Sequence, residues 1–333
     1  MSMKLHTTTG TEALDTLLEH LITRFEQSFP ARIRSYYLGG SSSDGTAAGY
    51  DQSPNSSDVD LFVIFCGTIT EDESVTFRRF VAECQLTGPI QVDAHAYSED
   101  DLLHRPGPQI SFLNVLIQKA SLLLYGDDIR AALPPVQFSH YVLDVIASGV
   151  FLIGIPRQRE RLAYPLVTPL VFPLAYPDPT GEFYGYDVVP ARPDAPRGTR
   201  VLVAFTTWIA TFILALETGR FAAQKSQCIR LCKELLPHDK RAQLAITVYE
   251  LCKSNWRYTL PEHAADRERL HELCQNTLSL ENEYLRLVHD YLLAQLQQGD
   301  AYGKRMVRRI LQSVVYQDEE MSALLMDDIH EIQ

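Results

Sequence analysis

The amino-acid sequence predicts an α+β protein in two parts: a small mixed sheet flanked by helices, then an all-helical C-terminal half. Three observations carry that prediction. Over roughly the first 100 residues, runs with helical spacing alternate with short apolar stretches of strand length. From residue 200 onward, apolar residues recur at helical spacing almost to the end. Between them, residues 156–196 hold many Pro, Tyr and Gly residues and no regular period, and their aromatics mark an ordered connection rather than a disordered linker. A chain of 333 residues fits two domains. The boundaries are read as 1–155, a connection over 156–199, and 200–333.

The first helix is expected over 11–27, where Leu14, Leu17, Leu18, Leu21, Ile22 and Phe25 share a face and Pro30 stops it. Residues 33–38 form a first strand. Residues 39–57, rich in Gly, Ser, Asp and Asn, form a loop. The run VDLFVIF over 59–65 has the pattern of a buried central strand. A helix over 73–86, a turn at Gly88-Pro89 and a third strand over 90–97 follow, then helices near 110–124 and 136–152. In the second half, helices are expected over 200–218, 222–236, 240–257, 264–298 and 301–315, before a short acidic tail helix. The segment from Val201 to Leu216 is the most apolar. It is shorter than the ~20 residues of a membrane span and contains Thr206, Thr207, Trp208 and Thr211, so it reads as a core helix and no membrane association is expected.

Hydrophobic residues make up 46% of the chain and charged residues 22%, the balance of a chain with a sizeable core. The net charge of -12 argues against a grip on long nucleic acid, which calls for a basic stripe. It suits a cationic small molecule, because an acidic cleft concentrates cations. The cysteines Cys66, Cys84, Cys228, Cys232, Cys252 and Cys274 form no C-x-x-C pair and have no His cluster nearby, which argues against zinc. Free thiols point to a reducing, cytoplasmic setting, and MSMKLHTTTGTEALD carries no apolar segment of the signal-peptide kind.

The chemistry concentrates in YYLGGSSSDGTAAGYDQSPNSSDVDLFVIF, residues 36–65. Alternate residues of a strand face the same way, so Asp58 and Asp60 project together while Val59 enters the core. Two carboxylates that close repel unless a cation neutralises them, and magnesium favours carboxylate and phosphate oxygens. Asp93, within IQVDAH, joins them if its strand lies beside 59–65, as a third ligand or as a general base. Three such carboxylates suit metal-assisted in-line displacement at phosphorus. The Gly39-Gly40-Ser41 turn brings backbone N–H groups and the Ser41 hydroxyl close to phosphate oxygens, and Ser57 adds a further donor.

A Gly-Gly-Ser turn, a loop, acid–apolar–acid on a strand and an acid on a later strand together resemble the nucleotidyltransferase superfamily that includes polymerase beta and the aminoglycoside nucleotidyltransferases. Residues 42–57 make a longer loop than the family's usual gap. A start at Gly45-Thr46 fits the gap better but does not follow a strand, and Gly40-Ser41 is favoured. The resemblance covers residues 30–130 well and 200–255 loosely. In the second half, WIATFILALETGRFAAQK (208–225) looks like the helix, Thr-Gly turn and lysine of streptomycin/spectinomycin-type adenylyltransferases. That likeness assigns Lys225 to the nucleotide phosphates and Tyr249 to the nucleotide. It implies a cytoplasmic, magnesium-dependent adenylyltransferase that uses a nucleoside triphosphate, ATP first among them, with a small-molecule acceptor of aminoglycoside type and a role in antibiotic resistance. The family's acidic stretch before the Trp208 helix is here DAPRGTR, with Asp194 displaced and Arg197 and Arg200 of opposite sign. A second reading is a nucleotidyltransferase of the antitoxin type that modifies or binds a partner protein. Three lesser expectations complete the analysis. His95 shares the face of Asp93 by alternation. Glu182 and Asp187 are candidate ligands for a cationic acceptor. Lys304, Arg305, Arg308 and Arg309 are expected to pair with Asp318, Glu319 and Glu320.

Overall fold

The computed structural model describes residues 3–47, 57–87, 90–105, 107–157, 161–166, 182–187 and 197–330. The Gly88-Pro89 turn, Asp194 and most of the 156–196 connection lie outside these. The chain divides into two compact units, one of residues 1–136 with 222–227, the other of 137–221 with 228–333.

The first unit is a four-stranded mixed sheet with helices. Its chain order is α1 (Glu12–Ser28), β1 (Ile33–Leu38), α2 (Gly40–Ser43), β2 (Val59–Phe65), α3 (Glu71–Thr87), β3 (Val92–Ser98), α4 (Glu99–His104), α5 (Ile110–Ala120) and β4 (Leu122–Gly126). The sheet order is β3-β2-β1-β4, with β1 antiparallel to both neighbours and β2 parallel to β3. Parallel strands need a crossover, and α3 supplies it. One sheet face packs Tyr36, Leu38, Val59, Leu61, Val63 and Phe65 against Leu14, Leu18, Ile22 and Phe25 of α1 and Phe77 and Phe80 of α3. The opposite face carries the alternate residues, including Tyr37, Asp60 and Phe62.

Helix α3 opens with a capping box. Thr70 receives the Glu73 N–H at 3.2 Å on its hydroxyl, and the Glu73 carboxylate receives the Thr70 N–H at 2.8 Å. This moves the helix start to Glu71, two residues ahead of the expected 73. The Arg32 guanidinium grips the same carboxylate through Nε and Nη2, and Glu73 is held down at about 2 from its ordinary 4.5, chiefly by that hydrogen bond. A carboxylate whose folded pKa is depressed contributes stability that is complete above its unfolded pKa and is lost as pH falls through the folded one. The stability gap between wild type and Glu73→Gln is therefore expected to narrow between about pH 4.5 and about pH 2. Urea midpoints across that range check it; a constant gap would refute the assignment.

The expected helix over 110–124 is shorter. It ends at Ala120, and Leu122–Gly126 is an edge strand paired with β1. The Ser121 backbone is extended, and its hydroxyl takes the Ile117 carbonyl at 2.8 Å, closing the helix.

The second unit is helical: α6 (Phe138–Arg157), α7 (Arg200–Thr218), the body of α8 (Lys225–Leu235), α9 (Lys240–Val248), α10 (Ala264–Gln298), α11 (Ala301–Ile310) and α12 (Glu319–His330). Helix α6 groups with this unit by its packing against α7 and α11, whereas a boundary at 155 placed it with the sheet. Helix α7 is long and apolar enough to cross a membrane by length and composition, but 72% of its span is buried inside the protein. Its threonines enter that core with their hydroxyls satisfied one turn back, Thr206 on the Leu202 carbonyl at 2.9 Å and Thr211 on that of Thr207 at 2.8 Å. The helix expected over 240–257 widens into a π-helix from Tyr249 to Asn255. The one expected over 301–315 stops at Ile310, and Val314–Tyr316 (β6) pairs in parallel with Leu162–Tyr164 (β5).

Candidate active site

The site residues are placed by strand register. In the β2–β3 pair Asp60 lies directly opposite Asp93, and Phe62 opposite His95. The two carboxylates therefore share the sheet face turned away from the α1–α3 core, at the start of both strands. Asp58, one step before β2, is partly exposed, and its carbonyl accepts from the Ser42 hydroxyl at 3.2 Å. Ser57 beside it is buried.

The turn after β1 is shaped around this pair. The Gly39 N–H donates to the Asp60 carbonyl at 2.9 Å. A Cβ on Gly39 would meet the Phe62 ring at 2.4 Å. Gly40 has φ +61, and a Cβ there would stand 2.0 Å from Asp60 Oδ2. Only glycine combines that backbone angle with so close a carboxylate. Ser41 follows, its carbonyl taking the Thr46 N–H at 3.1 Å. At the alternative start, Gly45-Thr46, the Thr46 N–H and hydroxyl both donate to the Asp44 carboxylate, at 3.0 and 2.7 Å, and among the described residues a Cβ on Gly45 meets nothing within 4 Å.

The Tyr97 hydroxyl, two residues along the face from His95, has its pKa raised by burial first and then by the Asp60 charge. Partial burial lowers the pKa of His95, against which the Asp93 carboxylate pulls the other way. The His95 ring lies nearly parallel to the Phe62 ring, with centroids 6.1 Å apart at 22°.

Gln91 was not singled out from the sequence. Its side-chain amide donates to both Asp93 oxygens, at 3.0 and 3.2 Å. The signal was available, since position 91 lies two residues before 93 on the same strand face. Among the described residues, no group of three or more His, Cys, Asp or Glu side chains forms a cluster able to hold a metal ion by itself. Asp60 and Asp93 facing each other across two strands instead fit a hard dication held by one or two carboxylates and completed by substrate phosphates, the usual manner of magnesium.

Lys225 is exposed at the first position of α8 and, with residues 222–227, groups with the first unit rather than with the helical one from which it was expected to act. Tyr249 lies in the second unit, buried, with the Lys253 ammonium 5.0 Å from its ring centroid. Two secondary expectations change. Glu182 pairs with Arg267 and Asp187 with Arg197, so both acids already face a cation within their unit. Arg200 stacks over Tyr258 at 5.3 Å. Asp318 pairs with His289 at 2.8 Å, and Glu320 accepts from Gln297 at 2.8 Å, rather than from the basic face of α11.

Compared with known proteins, the chain matches no protein-family model and no curated protein sequence.

Proposed function

We propose that the protein is a magnesium-dependent nucleotidyltransferase that moves a nucleoside monophosphate, AMP from ATP, onto a hydroxyl of a small acceptor, an aminoglycoside-like cation being the class that suits an acidic chain. The observation that carries this reading is the Gly40 turn lodged against Asp60 while Asp60 stands in register with Asp93. A glycine turn that can approach phosphate oxygens thus shares one sheet face with two carboxylates.

In this mechanism Asp58 and Asp60, joined by Asp93 where it is the third ligand, would hold magnesium, which would offset phosphate charge and favour in-line attack. The acceptor oxygen bonds to the α-phosphorus, the bond to the bridging oxygen of pyrophosphate breaks, and the hydroxyl proton leaves to a base. Asp93 is that base or the third ligand. Gly40 and Ser41 bind phosphate oxygens, Ser57 adds a further donor to them, and Lys225 adds a mobile cation against the triphosphate. Tyr249 is assigned to the nucleotide by resemblance alone.

Calorimetry with ATP, GTP, CTP and UTP in magnesium tests the reading. Wild type is expected to bind one of them, and Asp58→Ala/Asp60→Ala to lose binding at least ~100-fold, about 2.7 kcal/mol. A folded wild type that binds none of the four, with or without a panel of aminoglycosides, would overturn the reading and favour the protein-modifying or protein-binding alternative.

A further inference from the structure

Gln224 sits about 180 residues from the Gly40 turn in sequence and is fastened to it in space. Its side-chain amide nitrogen reaches three acceptors: the Gly40 carbonyl at 3.3 Å, the Ser43 hydroxyl oxygen at 2.7 Å and the Ala120 carbonyl at 2.6 Å. The Ser43 hydroxyl reaches the same two carbonyls, at 2.8 Å for Gly40 and 3.2 Å for Ala120. Two residues on, the Ser226 hydroxyl bonds Asp44, the residue that follows the turn.

We infer that Gln224 is a positioning residue for the phosphate-binding turn, aiming its Ser41 amide and fixing the backbone that carries Lys225; this rests on the nucleotidyltransferase reading. The argument is geometric. A trans peptide is planar, and its C=O and N–H point in opposite directions. Gln224 and Ser43 draw the Gly40 carbonyl one way, so the Ser41 N–H of the same peptide plane is held pointing the other way. Gly40 has φ +61, the backbone region in which glycine is least restrained by its own sterics, so an external restraint has most effect here. The same amide pins the residue immediately before Lys225. Lys225 is exposed, so its ammonium swings on a flexible stem from a fixed origin. A single side chain thereby sets the orientation of one donor and the starting point of a second.

The test uses the full chain and the variants Gln224→Ala, Gln224→Glu and Ser226→Ala. Gln224→Glu keeps the length of the side chain and replaces both donor hydrogens with a charge facing two carbonyls. Hydrogen exchange in the absence of any nucleotide is expected to speed up at residues 40–46 in both Gln224 variants while the β2 and β3 amides keep their wild-type rates. Affinity for the magnesium triphosphate that wild type binds is expected to fall ~10-fold in Gln224→Ala and further in Gln224→Glu, with melting temperature nearly unchanged. In turnover, KM for the triphosphate is expected to rise more than kcat falls. Ser226→Ala, which leaves the Gly40 carbonyl held, is expected to stay within about twofold of wild type in affinity. Unchanged exchange at residues 40–46, or faster exchange with wild-type affinity, would overturn the positioning role and leave the nucleotidyltransferase reading standing. A wild type that binds no triphosphate overturns both.

Discussion

Gly40→Ala is expected to cost little stability and most of the activity. The substitution carries two separate penalties. The first is conformational: φ +61 is unfavourable for an L side chain by about 1–2 kcal/mol. The second is a collision, because the new methyl would lie 2.0 Å from Asp60 Oδ2. That oxygen is the far end of a short, rotatable side chain, so the carboxylate can swing aside and relieve the contact at small energetic cost. In doing so it leaves the position opposite Asp93. A displacement of about 1 Å in a reacting group is worth ~100-fold in rate, so pyrophosphate release is expected to drop at least that far. Gly45→Ala separates the two penalties. Gly45 has φ +73, and among the described residues a Cβ there meets nothing within 4 Å, so alanine there meets only the conformational term. Urea unfolding of both variants alongside a pyrophosphate assay makes the comparison. Similar stability losses with a large activity difference are expected; equal activities would show that the approach of Gly40 to Asp60 has no catalytic consequence.

The largest stability effect is expected at Gly149→Ala in α6. Helix propensity alone predicts a gain of about 1 kcal/mol, since Gly is the poorest interior residue after Pro. The structure predicts the opposite sign. A Cβ on Gly149 would stand 2.2 Å from the Tyr284 hydroxyl oxygen and 2.8 Å from the ring carbon that bears it. Tyr284 is completely buried in α10, and its hydroxyl donates to the Ile146 carbonyl at 3.2 Å. Overpacking costs about 1–3 kcal/mol, and a hydroxyl displaced from its only buried acceptor a further ~1–3 kcal/mol. The net expectation is a loss of about 2–4 kcal/mol, read as a lower melting temperature. Adding Tyr284→Phe removes the closer clash, so the double variant is expected to melt above Gly149→Ala alone. A rise in melting temperature for the single variant would show that α6 and α10 separate at no cost.

Much of the candidate site was legible because its logic is local. Alternation predicts that Asp58 and Asp60 project together; the strand itself begins at Val59, so register fixes Asp60 alone, and the apolar tail of that strand marks it as central. The pairing of Asp60 with Asp93 needed one further fact, the adjacency of β2 and β3, which the helix between two short strands implies. Strand β4 was not legible. From Ile110 to Tyr125 apolar residues predominate on both sides of Gln118-Lys119, and a five-residue strand cannot be told from the end of a buried helix by period alone. The break at Ser121 is made by tertiary pairing with β1. The three-residue strands β5 and β6 are shorter than any pattern. Gln224 was invisible for a different reason. A glutamine in a loop has no periodicity to betray it, and its partners Gly40, Ser43 and Ala120 lie scattered across the earlier chain. The same holds for Arg267 and Arg197, which turn Glu182 and Asp187 from exposed acids into members of ion pairs.

The clasp at Gln224 also sets an order of events during synthesis. The first unit is made of residues 1–136 and then waits for 222–227. The 85 residues 137–221 intervene, so at ~5–20 residues per second the ribosome delivers the closing segment roughly 4–17 s after the sheet is available to fold. During that interval the nascent sheet carries Asp60 and Asp93 in register, while Gly40, Ser43 and Ala120 still lack their shared amide donor. The turn is finished by a stretch of chain translated after the whole of α6 and α7.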